Sequence, residues 1–233
     1  MRRTVLTVFF LFVILGAASF AGAQDEHGYI EIGGLWSNQP AGDPRGSPDF
    51  PRSGVGGTAF GISGQFTRLL TPKFGIVFAA SVPFRFESLQ ETDYFLSFKT
   101  ENRHRDIILS ALAELRLPPT GQVQVALVGG WSVIREDTLQ RQADQTSPGF
   151  QPPLTFGPFG PESTLGRWTG GLTGGVDAAI RIGRRVQIVP ELRLHWISRA
   201  APDQVCDTAC LNSYALSLSS IAVRPALTLR AGF

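Results

Sequence analysis

The sequence contains few of the residues from which catalytic and metal sites are usually built. It has three histidines, one methionine and two cysteines, Cys206 and Cys210, in 233 residues. It contains no glycine-rich phosphate loop and no Gly-x-Ser-x-Gly nucleophile elbow. Only Asp207 stands between the cysteines as a further ligand, which is too few for a structural zinc site. The sequence therefore predicts no catalytic residue, no metal and no cofactor.

A long apolar run occurs only once, directly after the basic start "MRR". The run "TVLTVFFLFVILGAASF" is followed by the small residues Ala21 and Ala23 and then by "QDEHG". This layout predicts a signal peptide over 1–23 and a mature domain over 24–233; the alternative is an uncleaved membrane anchor. Export and an even, closely spaced cysteine pair together favour a disulfide between Cys206 and Cys210.

The mature chain also has no excess of basic or acidic residues. Removal of Arg2 and Arg3 with the signal peptide leaves 19 basic residues against 19 acidic residues. A balanced chain carries no electrostatic footprint for nucleic acid, so we predict no nucleic-acid partner.

Apolar and polar residues alternate with period two along most of the mature chain, which predicts strands with two different faces. The connections alternate between tight turns ("LTPKF", "PPTG" and "GRR") and four long loops rich in Gly and Pro. All tight turns should therefore lie at one end of the sheet and all long loops at the other. The eight predicted strands span 28–36, 56–69, 75–87, 104–117, 122–134, 165–182, 186–198 and 218–233.

The four tryptophans all fall on the apolar faces of their strands, near the ends that meet the long loops. Such a level of tryptophans is typical of a membrane interface, because the indole ring is apolar and carries one polar N–H. The alternative is a soluble barrel with a tryptophan core. The predicted aromatic girdle consists of Trp36, Trp131, Trp168 and Trp196.

The last strand carries an alternating apolar pattern that ends on an aromatic residue, with Leu227, Leu229, Ala231 and Phe233 on one face. In this the chain resembles the small bacterial outer-membrane β-barrels of the OmpA-like and OmpW-like kind, whose assembly machinery reads such a terminus. The resemblance implies a closed eight-stranded antiparallel transmembrane β-barrel that contacts outer-membrane lipid. It also implies a monomer with both termini in the periplasm and the long loops outside the cell.

An eight-stranded barrel is just wide enough to be filled by its own side chains. Arginines and carboxylates on the inward faces should form ion pairs that plug the lumen. The predicted lumen charge network comprises Glu31, Arg85, Glu87, Glu114, Arg116, Asp177, Arg181, Glu191, Arg193, Arg224 and Arg230.

Three functional hypotheses follow from this architecture. The first is a non-catalytic role in envelope structure or in surface interaction through the loops, where Phe150, Phe156 and Phe159 offer an apolar patch for a partner. The second is a narrow channel for ions, small solutes or apolar solutes. The third is a lipid A modifying enzyme, against which His195 points inward while Ser198 lies on the opposite face. We expect His195 to pair with a neighbouring carboxylate.

Overall fold

The computed structural model describes residues 27–40, 56–92, 98–144, 157–183, 185–198 and 219–233. The predicted signal peptide, the pair Cys206 and Cys210, and most of the predicted loops lie outside these residues. The described residues form nine strands: β1 (Gly28–Gln39), β2 (Gly57–Thr71), β3 (Phe74–Pro83), β4 (Phe86–Thr92), β5 (Phe98–Arg116), β6 (Val123–Asp144), β7 (Ser163–Arg181), β8 (Val186–Ile197) and β9 (Ile221–Gly232).

The strands close into one antiparallel barrel. Neighbours in sequence pair with each other except β3 and β4, β1 pairs with β9, and β3 pairs with β5. Both β3 and β4 pair with β5, with a one-residue shift in register between Ser81↔Ile108 and Phe86↔His104. They are therefore two parts of one barrel strand interrupted by a bulge. The predicted closed eight-stranded antiparallel barrel is confirmed.

The barrel has its apolar side chains outside and its polar side chains inside. On β9, Leu227 and Leu229 are more than half exposed, whereas Thr228 and Arg230, which alternate with them, are at most 2% exposed. The same alternation holds on β8, where Leu192, Leu194 and Trp196 face outward. The predicted strand faces are confirmed on these two strands.

Tight turns join the strands where the sequence predicted them. Between β5 and β6, Thr120 and Val123 exchange both backbone hydrogen bonds around Gly121, whose φ of 61° is accessible to glycine without strain. Between β2 and β3, the Thr71 hydroxyl accepts hydrogen bonds from the backbone N–H groups of Lys73 and Phe74.

Two strands are longer than their patterns indicated. β5 begins at Phe98 instead of 104, and β6 continues to Asp144 instead of ending at 134. The outward positions of the added residues carry charges such as Lys99, Glu101 and Arg135, so the apolar pattern that marks a membrane strand disappears while the backbone ladder continues. Trp131 consequently lies in the middle of β6 and not at its end. The described part of the chain contains no helix long and apolar enough to cross a membrane.

Candidate functional site in the barrel interior

Two buried arginines organise the carboxylates at the centre of the lumen. Arg193 on β8 binds Asp177 on β7 through both terminal nitrogens, with Nη2 3.0 Å from Oδ2. Arg230 on β9 donates from Nε to Glu31 Oε1 on β1 at 2.7 Å. Glu191, two residues before Arg193, shares that arginine at 3.3 Å. Such pairs offset the cost of burying charge because each planar guanidinium faces carboxylate oxygens directly.

Tyr29 links this cluster to a second ion pair near the tight-turn end of the barrel. Arg116 donates from Nε to Glu114 at 2.6 Å and from Nη1 to the Tyr29 hydroxyl at 2.8 Å. The guanidinium carbons of Arg116 and Arg230 lie 4.5 Å and 5.1 Å from the centre of the Tyr29 ring. The aromatic ring thus holds two cations apart and fills space between them.

A third arginine spans the lumen nearer the long-loop end. Arg224 on β9 donates to the Ser81 hydroxyl on β3 at 2.5 Å and to the backbone carbonyl of Asp106 on β5 at 2.8 Å. These bonds connect strands on opposite sides of the barrel, so the Arg224 side chain crosses the interior.

Hydroxyl groups form a row around the inner wall at a neighbouring level. Ser110 contacts Ser132 at 2.7 Å, Ser132 contacts Thr173 at 2.5 Å, and Thr173 contacts His195 Nδ1 at 2.7 Å. His195 therefore faces inward as expected, but the expectation of a carboxylate partner is wrong. The Thr173 hydroxyl takes that place because β7 presents it directly opposite His195 in the register.

His104 sits in a hydrogen-bonded group that the sequence reasoning did not identify. Its Nε2 lies 2.6 Å from Asp106 Oδ1 and its Nδ1 lies 2.7 Å from Thr138 Oγ1. An acid, an imidazole and a hydroxyl in this order can in principle activate a nucleophile. All three side chains are buried, with Thr138 3% exposed, so a substrate would have no surface from which to approach the hydroxyl. The i, i+2 spacing of His104 and Asp106 on one strand face was the available signal.

Apolar layers also cross the lumen, which the sequence reasoning missed. Ile108, Ile134, Ile197 and Ala222 form one buried cluster, and Val77, Leu112 and Val128 form another. These residues stand on the inward faces of their strands. They fill space in the lumen beside the charged groups.

The remaining predicted lumen residues, Glu87, Arg85 and Arg181, differ in their exposure and position. Glu87 is outside the lumen, and its prediction is wrong because the bulge between β3 and β4 reverses which face each following residue occupies. It is exposed and forms a 2.9 Å ion pair with Arg103. Arg85 is half-buried at the bulge, and Arg181 lies exposed at the end of β7.

The predicted girdle and terminal motif both lie on the outer surface. The tryptophans Trp36, Trp131, Trp168 and Trp196 are each at least 50% exposed. Leu227, Leu229 and Ala231 face outward on β9, and Phe233 stacks on Phe66 of β2 with ring centres 6.1 Å apart.

On the outer face of β6, the side chains change from apolar to charged on the far side of Trp131 and Val133. Val133 is followed at outward positions by Arg135 and Asp137. Asp137 accepts hydrogen bonds from Arg135 at 2.9 Å and from Arg105 of β5 at 3.1 Å. Burial raises the pKa of Asp137, but the two arginines outweigh this effect and hold the pKa below its ordinary value.

Replacing Asp137 with asparagine should therefore reduce stability in a pH-dependent way. The stabilisation from a lowered carboxyl pKa is fully present above the ordinary aspartate pKa of about 3.9 and is lost as pH falls through the lower folded value. We expect the variant to lose up to about 1 kcal/mol at neutral pH, since surface pairs contribute little. Unfolding midpoints of both proteins across acidic pH check this; a difference that persists at the lowest pH would contradict it.

Among the described residues, no group of three or more His, Cys, Asp or Glu side chains could hold a metal ion. The inward carboxylates instead face guanidinium groups, which supply positive charge without a metal.

Solved structures of outer-membrane proteins resemble this chain at low sequence identity. A major outer membrane protein from Thermus thermophilus matches with a TM-score of 0.50 and 13% identity over 88% of this chain and 99% of its own. Ail, the attachment invasion locus protein of Yersinia pestis, matches with a TM-score of 0.46 and 11% identity, over 90% of this chain and 100% of its own. OprG from Pseudomonas aeruginosa matches with a TM-score of 0.42 and 11% identity, over 89% and 94%.

No family model matches the chain, and no curated protein matches it. The likeness to the Thermus thermophilus protein shows the fold alone, because 13% identity does not carry side-chain chemistry from one protein to another. The expected resemblance to small outer-membrane barrels is confirmed at the level of the fold.

Proposed function

We propose that this chain is an integral β-barrel of the bacterial outer membrane with a sealed lumen and a non-catalytic role in the envelope. In this proposal both termini and the tight turns lie in the periplasm, and the long connections lie outside the cell. The observation that carries it is the filled interior, in which ion-paired side chains and apolar layers occupy the same lumen.

The outer surface supports placement in a lipid bilayer. Large apolar side chains such as Ile32, Phe60 and Leu229 are each more than half exposed and would contact water in a soluble protein. A closed barrel satisfies every backbone group between its strands, which lipid cannot do. Exposed tryptophans at the margin of the apolar surface suit the interface with the headgroups. The fold shared with an outer-membrane protein supports the same placement.

Burial of the charges supports a sealed lumen. Arg224, Arg230, Glu31, Glu114 and Asp177 are each at most 2% exposed. An open aqueous channel would leave such groups hydrated. Here they contact one another, hydroxyl groups and backbone carbonyls instead, and the cluster of Ile108, Ile134 and Ile197 lies among them.

A non-catalytic role agrees with the placement of the histidines. The hydroxyl that His104 contacts is buried, and His195 contacts Thr173 inside the lumen. The remaining route to function is the outer surface and the long loops, where Phe159 is exposed. The proposed partners are outer-membrane lipid, the barrel assembly machinery during insertion, and a surface partner that binds the loops; the barrel itself would be a monomer.

Planar-bilayer recording of the refolded mature protein tests the sealed lumen. We expect no discrete current steps at neutral pH from protein whose heated and unheated forms migrate differently on a gel. A porin reconstituted in the same way provides the positive control. Discrete, salt-dependent steps from the folded barrel would contradict the proposal and make solute passage the working function.

A further inference from the structure

The hydroxyl of Thr228 has more acceptors around it than it has protons to donate. Thr228 Oγ1 lies 2.7 Å from Glu191 Oε1, 3.1 Å from Glu31 Oε2 and 3.2 Å from the carbonyl oxygen of Val189. A hydroxyl carries one proton, and an ionised carboxylate or a carbonyl carries none to share. With one proton for three acceptors, two of these contacts have no proton between their oxygens when both carboxylates are ionised.

The other oxygen of Glu191 shows the same shortage independently. Glu191 Oε2 lies 3.3 Å from Arg193 Nη2, which carries two protons. That nitrogen also lies 3.0 Å from Asp177 Oδ2 and 3.3 Å from Gln65 Oε1, so three acceptors share its two protons.

The number of charges around Glu191 shows a shortage of positive partners as well. Asp177 is bound by both terminal nitrogens of Arg193, and Glu31 is bound by Arg230. Arg230 Nη2 lies 3.9 Å from Asp177, beyond hydrogen-bond distance. Three buried carboxylates thus share two guanidinium groups, and Glu191 is the one without a guanidinium of its own.

We propose that Glu191 is a proton-binding site, holding a proton that its carboxyl group donates to Thr228 Oγ1. Thr228 then donates to Glu31, so that the Glu191–Thr228 and Thr228–Glu31 contacts each have one donor and one acceptor. The proton removes the third buried negative charge and lets the cluster pack at neutral pH. The charged and titratable groups that face this part of the lumen are Tyr29 and Glu31 on β1, Glu114 and Arg116 on β5, Asp177 on β7, Arg193 on β8 and Arg230 on β9.

Infrared spectroscopy of the refolded barrel tests the site directly. A protonated carboxyl group has a carbonyl stretch distinct from that of a carboxylate. We expect this band in the wild-type protein at neutral pH, its loss in Glu191→Gln, and its retention in Glu114→Gln, because Glu114 is paired with Arg116. A missing band in the wild type, or a band that survives in Glu191→Gln, would overturn the proposal.

The pH dependence of unfolding gives a second readout. A carboxyl group that keeps its proton only in the folded state makes stability fall as pH rises above about 4.3, the ordinary glutamate value, until the folded protein also releases the proton. Wild-type protein should show this loss relative to Glu191→Gln, whose amide keeps a donor for Thr228. Parallel midpoints for the two proteins at every pH would overturn the site.

The proposed proton site adds to the proposal of a sealed lumen, but the experiments that test the proton site do not require the lumen to be sealed. Current steps from wild-type protein at neutral pH would refute the seal and leave the infrared assignment standing. A Thr228→Val variant tests the hydrogen bond between Glu191 and Thr228 separately from the protonation of Glu191. Without the hydroxyl, the protonated carboxyl loses its acceptor, so the infrared band should weaken or shift; an unchanged band would overturn the proposed donation to Thr228.

Discussion

Replacing Asp177 with asparagine is expected to lower the free energy of unfolding by about 3–5 kcal/mol, the usual cost of removing one partner from a buried ion pair. Asp177 accepts from both terminal nitrogens of Arg193. Asparagine would keep one acceptor and turn an N–H₂ group toward the other guanidinium nitrogen, so Arg193 would lose its bidentate carboxylate and keep only a single carboxyl contact, to Glu191 at 3.3 Å. Denaturant unfolding of the barrel in lipid vesicles, followed by tryptophan fluorescence and gel mobility, measures the change.

Arg181→Gln provides the matched control for this experiment. Arg181 lies on the same strand as Asp177 and at an inward position, but it is exposed at the end of β7. Its replacement should change stability by less than about 0.5 kcal/mol, as for surface substitutions away from special features. Equal effects from the two variants would contradict the view that the buried pair, and not charge at the lumen wall in general, holds the strands together.

Replacing each of two adjacent glycines on β1 with alanine should change the free energy of unfolding in opposite directions. A methyl group on Gly33 would lie 2.5 Å from the Cα atom of Thr228 and inside the contact distance of the Leu227 carbonyl oxygen. Strands β1 and β9 approach each other closely here, so the backbone must shift to admit a side chain. We expect Gly33→Ala to cost about 1–3 kcal/mol, as overpacked sites do.

Gly34→Ala is the control, because a methyl group at Gly34 would meet no atom within 4 Å. Its effect should be neutral or stabilising by about 0.4–1 kcal/mol, since alanine restricts the unfolded chain. The fraction of protein that refolds to the heat-modifiable form and the denaturant midpoint report both changes. A normal midpoint for Gly33→Ala would show that the β1–β9 seam tolerates a wider spacing.

The barrel and its closed pairing could be predicted because outward-facing and inward-facing positions alternate strictly along a strand. Leu227, Leu229 and Trp196 show that alternation in the sequence alone. The ends of β5 and β6 could not be predicted in the same way. Beyond Val133 the outward side chains become charged, so the apolar pattern stops although the hydrogen-bonded ladder continues to Asp144.

The bulge between β3 and β4 determines that Glu87 faces outward. One extra residue between β3 and β4 reverses the faces of the residues that follow in the same barrel strand, and Glu87 lies on the outer surface instead of in the predicted lumen. The sequence around Pro83 and Phe84 carries no alternation break that locates this residue. Period-two reasoning is therefore reliable only up to the nearest bulge.

The alternation along β8 and β9 was enough to predict which of their side chains face inward, because alternation is a local property of a strand. The contacts between inward groups were established by the folded barrel alone: Arg230 with Glu31, Arg193 with Asp177, Thr228 between Glu31 and Glu191, and His195 with Thr173. Those contacts depend on the register between strands distant in sequence and on the curvature of the closed barrel. Neither quantity is encoded in the pattern of one strand, and both follow from packing all eight together.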